Sequence, residues 1–159
     1  NLARGPQILI GSSMGGWLMM LAAKARPQRI KGMIGLAAAP DFGKDLYKGL
    51  NKKNKKEITS KGITKYTSYG FSYYLTKKFF IEAEKNRVLK KPLYFTKPLV
   101  LIHGLKDNVV KEDVPRKILK KITGKNVNII YLKESDHRLS SETDLKIITH
   151  SISYIKSII

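Results

Sequence analysis

A chain of 159 residues is long enough to bury one sizeable core and too short for two ordinary domains. It has no cysteine, which excludes disulfides, zinc–cysteine sites and a cysteine nucleophile, and leaves only His103, His137 and His150 for acid–base or metal work. Lys and Arg outnumber Asp and Glu by 31 to 12, and the resulting net charge of +19 raises nucleic acid or an anionic membrane as partners. The lysines are scattered along the whole chain rather than gathered in one block, as a lysine-biased composition would leave them, so no nucleic-acid partner is expected.

The sequence opens on Asn1 rather than Met, so an upstream portion, with any targeting signal it carries, is expected. No apolar run has the length of a membrane span. Taken in chain order, Gln7 to Ile10 is a short apolar run that reads as a strand buried on both faces. Met14 to Ala25 is apolar nearly all round and predicts a deeply buried helix, closed by Lys24, Arg26 and then Pro27. Ile30 to Leu36 predicts a second buried strand.

From Phe42 to Phe95 the pattern changes, becoming lysine-rich at "NKKNKK" and aromatic at "KYTSYGFSYYLTKKFF". All five Phe and six of the eight Tyr (Tyr47, Tyr66, Tyr69, Tyr73, Tyr74 and Tyr94) fall in this stretch. It is too long for a plain connection between strands and predicts a helical insertion over residues 42–95, a lid over one end of the sheet.

Leu99 to Ile102 and Val127 to Leu132 predict two further buried strands, separated by a helix from about Glu112 to Thr123 that stops at Gly124. The capping-box pattern Ser141-x-x-Asp144 starts a last helix, with Leu145, Ile148, Ile152, Ile155 and Ile159 as one apolar stripe. Strands alternating with crossovers of this length indicate a parallel, doubly wound α/β sheet.

Gly11-Ser12-Ser13-Met14-Gly15 matches G-x-S-x-G, a serine forced onto a sharp strand-to-helix turn. Gly11 and Gly15 are expected to give the turn room, and the Met14 N–H to help bind an oxyanion at the helix N-terminus. A phosphate-binding loop is excluded, because there is no G-x-G-x-x-G and no Gly-Lys-Ser/Thr. A serine nucleophile needs a base and the base an orienting acid, in the chain order serine, acid, histidine. "VLIHGLKDNVV" places Asp107 after the third strand and "IIYLKESDHRLS" places His137 after the fourth. Asp136 is the rival acid. His103, beside Gly104, reads as a packed core residue, and His150, between apolar positions of the last helix, as structural.

The segments "GSSMGGW", "APDF", "HGLKDNVV" and "DHRLS", in this order, resemble the α/β-hydrolase branch that includes the mitochondrial palmitoyl-protein thioesterase and acyl-glucuronide deacylase, with its bacterial relatives. The resemblance runs through essentially the whole chain and implies Ser13 as nucleophile, Asp107 as acid, His137 as base and Met14 as one oxyanion donor. Lys111 stands where the pattern has proline, and the insertion is unusually lysine-rich. The resemblance also implies early strands, and a loop giving the second oxyanion N–H, ahead of Gln7. The chain is therefore expected to be a C-terminal portion of the fold, poorly soluble and at most feebly active by itself. A cytoplasmic location is expected in a bacterium and a mitochondrial one in a eukaryote.

The function this implies is cleavage of carboxylic esters or thioesters of apolar acyl groups through an acyl-enzyme, with no cofactor and no metal. The insertion's aromatics serve either as an acyl-binding wall or as the lid's own small core. The alternative is a non-catalytic or nucleic-acid-binding basic protein on a hydrolase scaffold, with lysines and aromatics meeting a single strand.

Overall fold

The computed structural model describes residues 5–68 and 71–159. In chain order its elements are β1 (Gln7–Ser12), α1 (Met14–Ala25), β2 (Ile30–Leu36), α2 (Gly43–Gly49), α3 (Lys52–Lys61), β3 (Ile63–Ser68), β4 (Phe71–Thr76), α4 (Lys77–Lys85), β5 (Leu99–Gly104), α5 (Val114–Leu119), β6 (Val127–Leu132) and α6 (Glu142–Ser157). They divide between two units, one comprising the chain up to Pro40 with Val88–Ile159, the other Asp41–Arg87.

In the first unit β1, β2, β5 and β6 lie side by side in that order, all parallel. Alternation along the strands sends successive side chains to opposite faces. Ile34, Val100 and Ile102 meet Ile155 of α6 on one face, while Gly35 faces Met19 of α1 and Leu101 on the other. The sheet is therefore covered by α1 on one side and α6 on the other, as a doubly wound α/β sheet requires.

The two inner strands match the expectation of burial on both faces, but β1 and β6 do not. Each has one sheet neighbour among the described residues, and their side chains are mostly half-buried, with Ile10 of β1 48% exposed. The α1 helix buries Gly16, Trp17, Met19, Met20 and Ala23, yet Met14 and Leu18 lie on its open side, so it is buried on one face rather than all round. The expected helix from Glu112 to Thr123 shortens to α5. Pro115 stands in its first turn, and beyond Leu119 the chain leaves the helix to pair Ile122 with Leu93.

Helix α6 opens on the expected capping box: Ser141 Oγ accepts from the Asp144 N–H, and the Asp144 carboxylate accepts from the Ser141 N–H at 2.9 Å. Its apolar stripe is narrower than the spacing suggests. Ile147, Ile148, Ile152 and Ile155 face the core, whereas Leu145 and Ile159 are exposed beyond its ends.

The unit Asp41–Arg87 is not purely helical. β3 and β4 form an antiparallel hairpin, pairing Ile63 with Thr76 and Tyr66 with Tyr73, because "ITKYTS" and "FSYYLT" are rich in the β-branched and aromatic residues that suit a pleated surface. Tyr69 lies outside the described residues. Asn51 and Thr76 cap α3 and α4 through their side chains, and Gly62 ends α3 in the left-handed conformation. Leu50, Ile58 and Leu75 make a small core with Leu46, Tyr66, Phe79 and Phe80 packed against it. Part of the aromatic content is thus the unit's own core. Tyr94 and Phe95, inside the expected insertion, belong to the first unit.

Asp144 is buried and is reached by Ser135 Oγ as well as by Ser141. Burial pushes its carboxyl up, but these hydrogen bonds outweigh burial and hold it below its ordinary value. A carboxylate depressed in the folded state stabilises it at pH values above the unfolded value of about 3.9, and that contribution is lost as pH falls through the folded value. Asp144→Asn is expected to lower the unfolding free energy by about 1 kcal/mol at pH 7 in urea denaturation, as loss of a helix cap does. The gap between the two proteins should narrow as the pH is taken well below about 4.

Candidate active site

Ser13 follows β1 directly and precedes the first residue of α1. Its φ of 51° and ψ of −118° are a rare and strained backbone conformation for a residue with a side chain. Three backbone hydrogen bonds hold it there. The Ser13 N–H donates to Leu36 O at 2.8 Å, and Ser13 O accepts from Gly16 and from Ala39, each at 3.0 Å. The close reversal leaves no space for a side chain at Gly11, where a Cβ would stand 2.4 Å from Gly15 O. Gly15 itself has nothing within 4 Å of where its Cβ would be, so the expectation that it supplies room is corrected to Gly16, whose Cβ would meet Ala38 Cβ at 2.5 Å.

The loop after β5 presents Asp107. Its Oδ1 accepts from the N–H groups of Val109 at 2.8 Å and Val110 at 2.9 Å, a self-closing turn typical of aspartate. His103, which the sequence assigns to the core, is fully buried at the base of this loop, and its Nε2 lies 3.0 Å from Val110 O. It thereby ties the far end of the loop to the strand. Lys111 is exposed where the loop leaves.

The loop after β6 presents His137. Two residues on, Leu139 has φ 50° and buries its side chain among Ile34, Val100 and Ile155. Two residues before it, Ser135 bonds to Asp144 of α6. The loop is pinned on both sides of His137.

These three loops converge at the C-terminal ends of β1, β5 and β6, the edge at which open α/β sheets place their sites. His137 Nδ1 lies 2.8 Å from Asp107 Oδ2, and its Nε2 lies 3.1 Å from Ser13 Oγ. The Asp107 carboxylate is 0% exposed while the His137 side chain is 23% exposed, so the pair is sealed at the acid end and open at the serine end. The Met14 N–H lies in the first turn of α1, where amides have no acceptor within the helix.

The remaining candidates are elsewhere. Asp136 turns back on its own chain and accepts from the Arg138 N–H at 2.8 Å, with no contact to the imidazole beside it in sequence. Ser12 is an exposed residue of β1 paired with Leu36. His150 is exposed on α6 rather than packed, because its position falls outside the narrow apolar stripe. Among the described residues no group of three or more His, Asp or Glu is placed to hold a metal ion, and no helix is long and apolar enough to cross a membrane.

Comparison with known proteins agrees with this architecture. The prolyl oligopeptidase family profile matches residues 7–158. Human mitochondrial palmitoyl-protein thioesterase ABHD10 is 36% identical over 156 residues, covering 96% of this chain and 51% of its own length. The chain thus spans about half the length of the curated relatives it matches. The structure of mouse alpha/beta hydrolase domain-containing protein 10 matches with a TM-score of 0.86 at 35% identity, over 99% of this chain and 64% of that one. A protein of Agrobacterium vitis S4 matches with a TM-score of 0.84 at 27% identity, over 93% of this chain and 60% of that one. Matched along nearly all of its length, the chain belongs to the prolyl oligopeptidase family and is built on the α/β-hydrolase fold.

Proposed function

We propose that the chain carries the nucleophile, base and acid of a serine hydrolase that cleaves carboxylic esters or thioesters of apolar acyl groups. The observation that carries this reading is the continuous line Ser13 Oγ, His137, Asp107, joined at 3.1 and 2.8 Å, with its serine on a strained strand-to-helix turn. With Asp107 accepting from Nδ1–H, the imidazole is held in the tautomer whose Nε2 is free to take a proton. Ser13 Oγ attacks the acyl carbonyl as its proton passes to His137 Nε2, and the oxyanion so formed accepts from the Met14 N–H. Collapse breaks the bond to the leaving alcohol or thiol, which takes the proton from His137 and leaves the acyl group on Ser13. A water, deprotonated by His137, then releases the acid and restores the serine.

The names of the curated relatives it matches favour a thioester among these substrates, since ABHD10 is called a palmitoyl-protein thioesterase. A thiol, with a pKa of about 8.5, is also an easier leaving group for a histidine acid than an alcohol. The same relatives are mitochondrial by name, which supports the mitochondrial of the two expected locations.

In the full-length protein, Ser13→Ala is expected to abolish covalent labelling by a fluorophosphonate and to lower hydrolysis of thioester and p-nitrophenyl ester substrates by about 10⁴-fold or more. Persistent labelling of that variant would remove Ser13 as the nucleophile, and with it this reading.

The acid is tested by comparison. Asp107→Asn should depress turnover by roughly 10³–10⁴-fold, through the wrong imidazole tautomer. Asp136→Asn should change it only a few-fold, because an asparagine oxygen still accepts from the Arg138 N–H. Steady-state kinetics that rank the two variants the other way would assign the acid to Asp136.

A further inference from the structure

We propose that the unit Asp41–Arg87 holds a second binding site, a groove between α2 and α4 that takes a long-chain carboxylate. The groove encloses about 760 Å³, within the size range of small-molecule sites, and all of its lining comes from this unit. It contains none of Ser13, Asp107 and His137, so the inference stands whether or not those residues catalyse.

The floor is apolar. Tyr47 of α2 meets Phe80 of α4 edge to face at 5.0 Å, with Ile58 of α3 and Ala83 alongside. Ile81, also in the lining, is 45% exposed, leaving apolar surface in contact with water inside a concavity. An alkyl chain laid along it would remove that surface from water.

The rim decides the head group. Both acids in the lining that face Arg87 are taken by it: Glu84 at 3.2 Å and Asp41 at 3.6 Å. Lys85 is occupied by Glu82 at 2.9 Å. Lys44 and Lys48, one helical turn apart on α2, and Lys77 at the start of α4 form no ion pair among the described residues. The groove therefore presents uncompensated positive charge above an apolar floor, the complement of an anionic head on an apolar tail. Its concavity suits a single chain rather than a flat bilayer.

The test is displacement of a fluorescent fatty-acid probe, dansylundecanoate, from the purified protein at low ionic strength. Dodecanoate, kept below its micellar concentration, should displace it at least about tenfold more effectively than dodecanol or dodecyltrimethylammonium. That preference should shrink in 1 M salt, where the Debye length is about 3 Å. Lys44→Glu with Lys48→Glu, both at exposed positions, should weaken dodecanoate about tenfold while leaving dodecanol unchanged. Ile81→Glu should weaken both, and Ser13→Ala neither. Equal displacement by dodecanoate and dodecanol, or a double variant within twofold of the parent, would overturn the proposal. So would phosphatidylglycerol vesicles that displace the probe as well as dodecanoate does at equal concentration, which would make the lysine face a membrane surface.

Discussion

The strained backbone of Ser13 is the constraint on which the arrangement of the site depends. A residue with a side chain at φ 51° and ψ −118° costs on the order of 1–3 kcal/mol, and persists only where its surroundings over-determine it. Here they do so from the neighbouring strand. Leu36, the last residue of β2, accepts the Ser13 N–H, and Ala39, three residues on, donates to its carbonyl. The same closeness dictates the side chains around the turn. A Cβ at Gly11 or at Gly16 would stand within 2.5 Å of its neighbours, so the nucleophile candidate and its lack of neighbouring bulk are one requirement.

Asp107 and His137 are held by different devices because they face different environments. Asp107 is sealed from water, and a buried carboxylate is tolerable only if its oxygens find donors. Val109 and Val110 supply two N–H groups to one oxygen and His137 meets the other, with His103 holding Val110 from below. His137 is partly open to solvent. Its loop is fixed instead from behind, by Leu139 in the core and by the bond from Ser135 to Asp144. The capping box that starts α6 therefore also steadies the loop of the histidine.

Much of this was legible in the sequence. The residue types at the strand ends, Ser13, Asp107 and His137, named the side chains that the fold brings together, because a parallel sheet gathers its strand C-termini at one edge whatever the intervening lengths. The limits of β2, β6 and α1, and the Ser141–Asp144 box, could be read from local pattern alone. What could not be read was set by tertiary neighbours. Gly16 outranks Gly15 only because Ala38 arrives from the loop after β2. Ile122 leaves its expected helix because Leu93 is there to pair with. His103 looked like packing, and its hold on Val110 depends on the curl of the Asp107 loop. The β3–β4 hairpin had a readable signal in its alternating aromatic and β-branched residues, but the surrounding lysine-rich helices obscured it.

The placement of the serine also follows from which side of β1 bears the load. On its outer side β1 has no partner among the described residues, and Ile10, Met14 and Leu18 of β1 and α1 stand exposed. None of the hydrogen bonds that fix Ser13 comes from that side. They come from β2, from the loop after it and from α1's own first turn, and β2 is buried between two strands with α1 and α6 on its faces. Ile34 of β2 lies in the same core cluster as Leu139, the anchor of the histidine loop, so one buried strand supports both partners of the 3.1 Å Ser13–His137 contact. The geometry of that contact is accordingly governed by packing about β2.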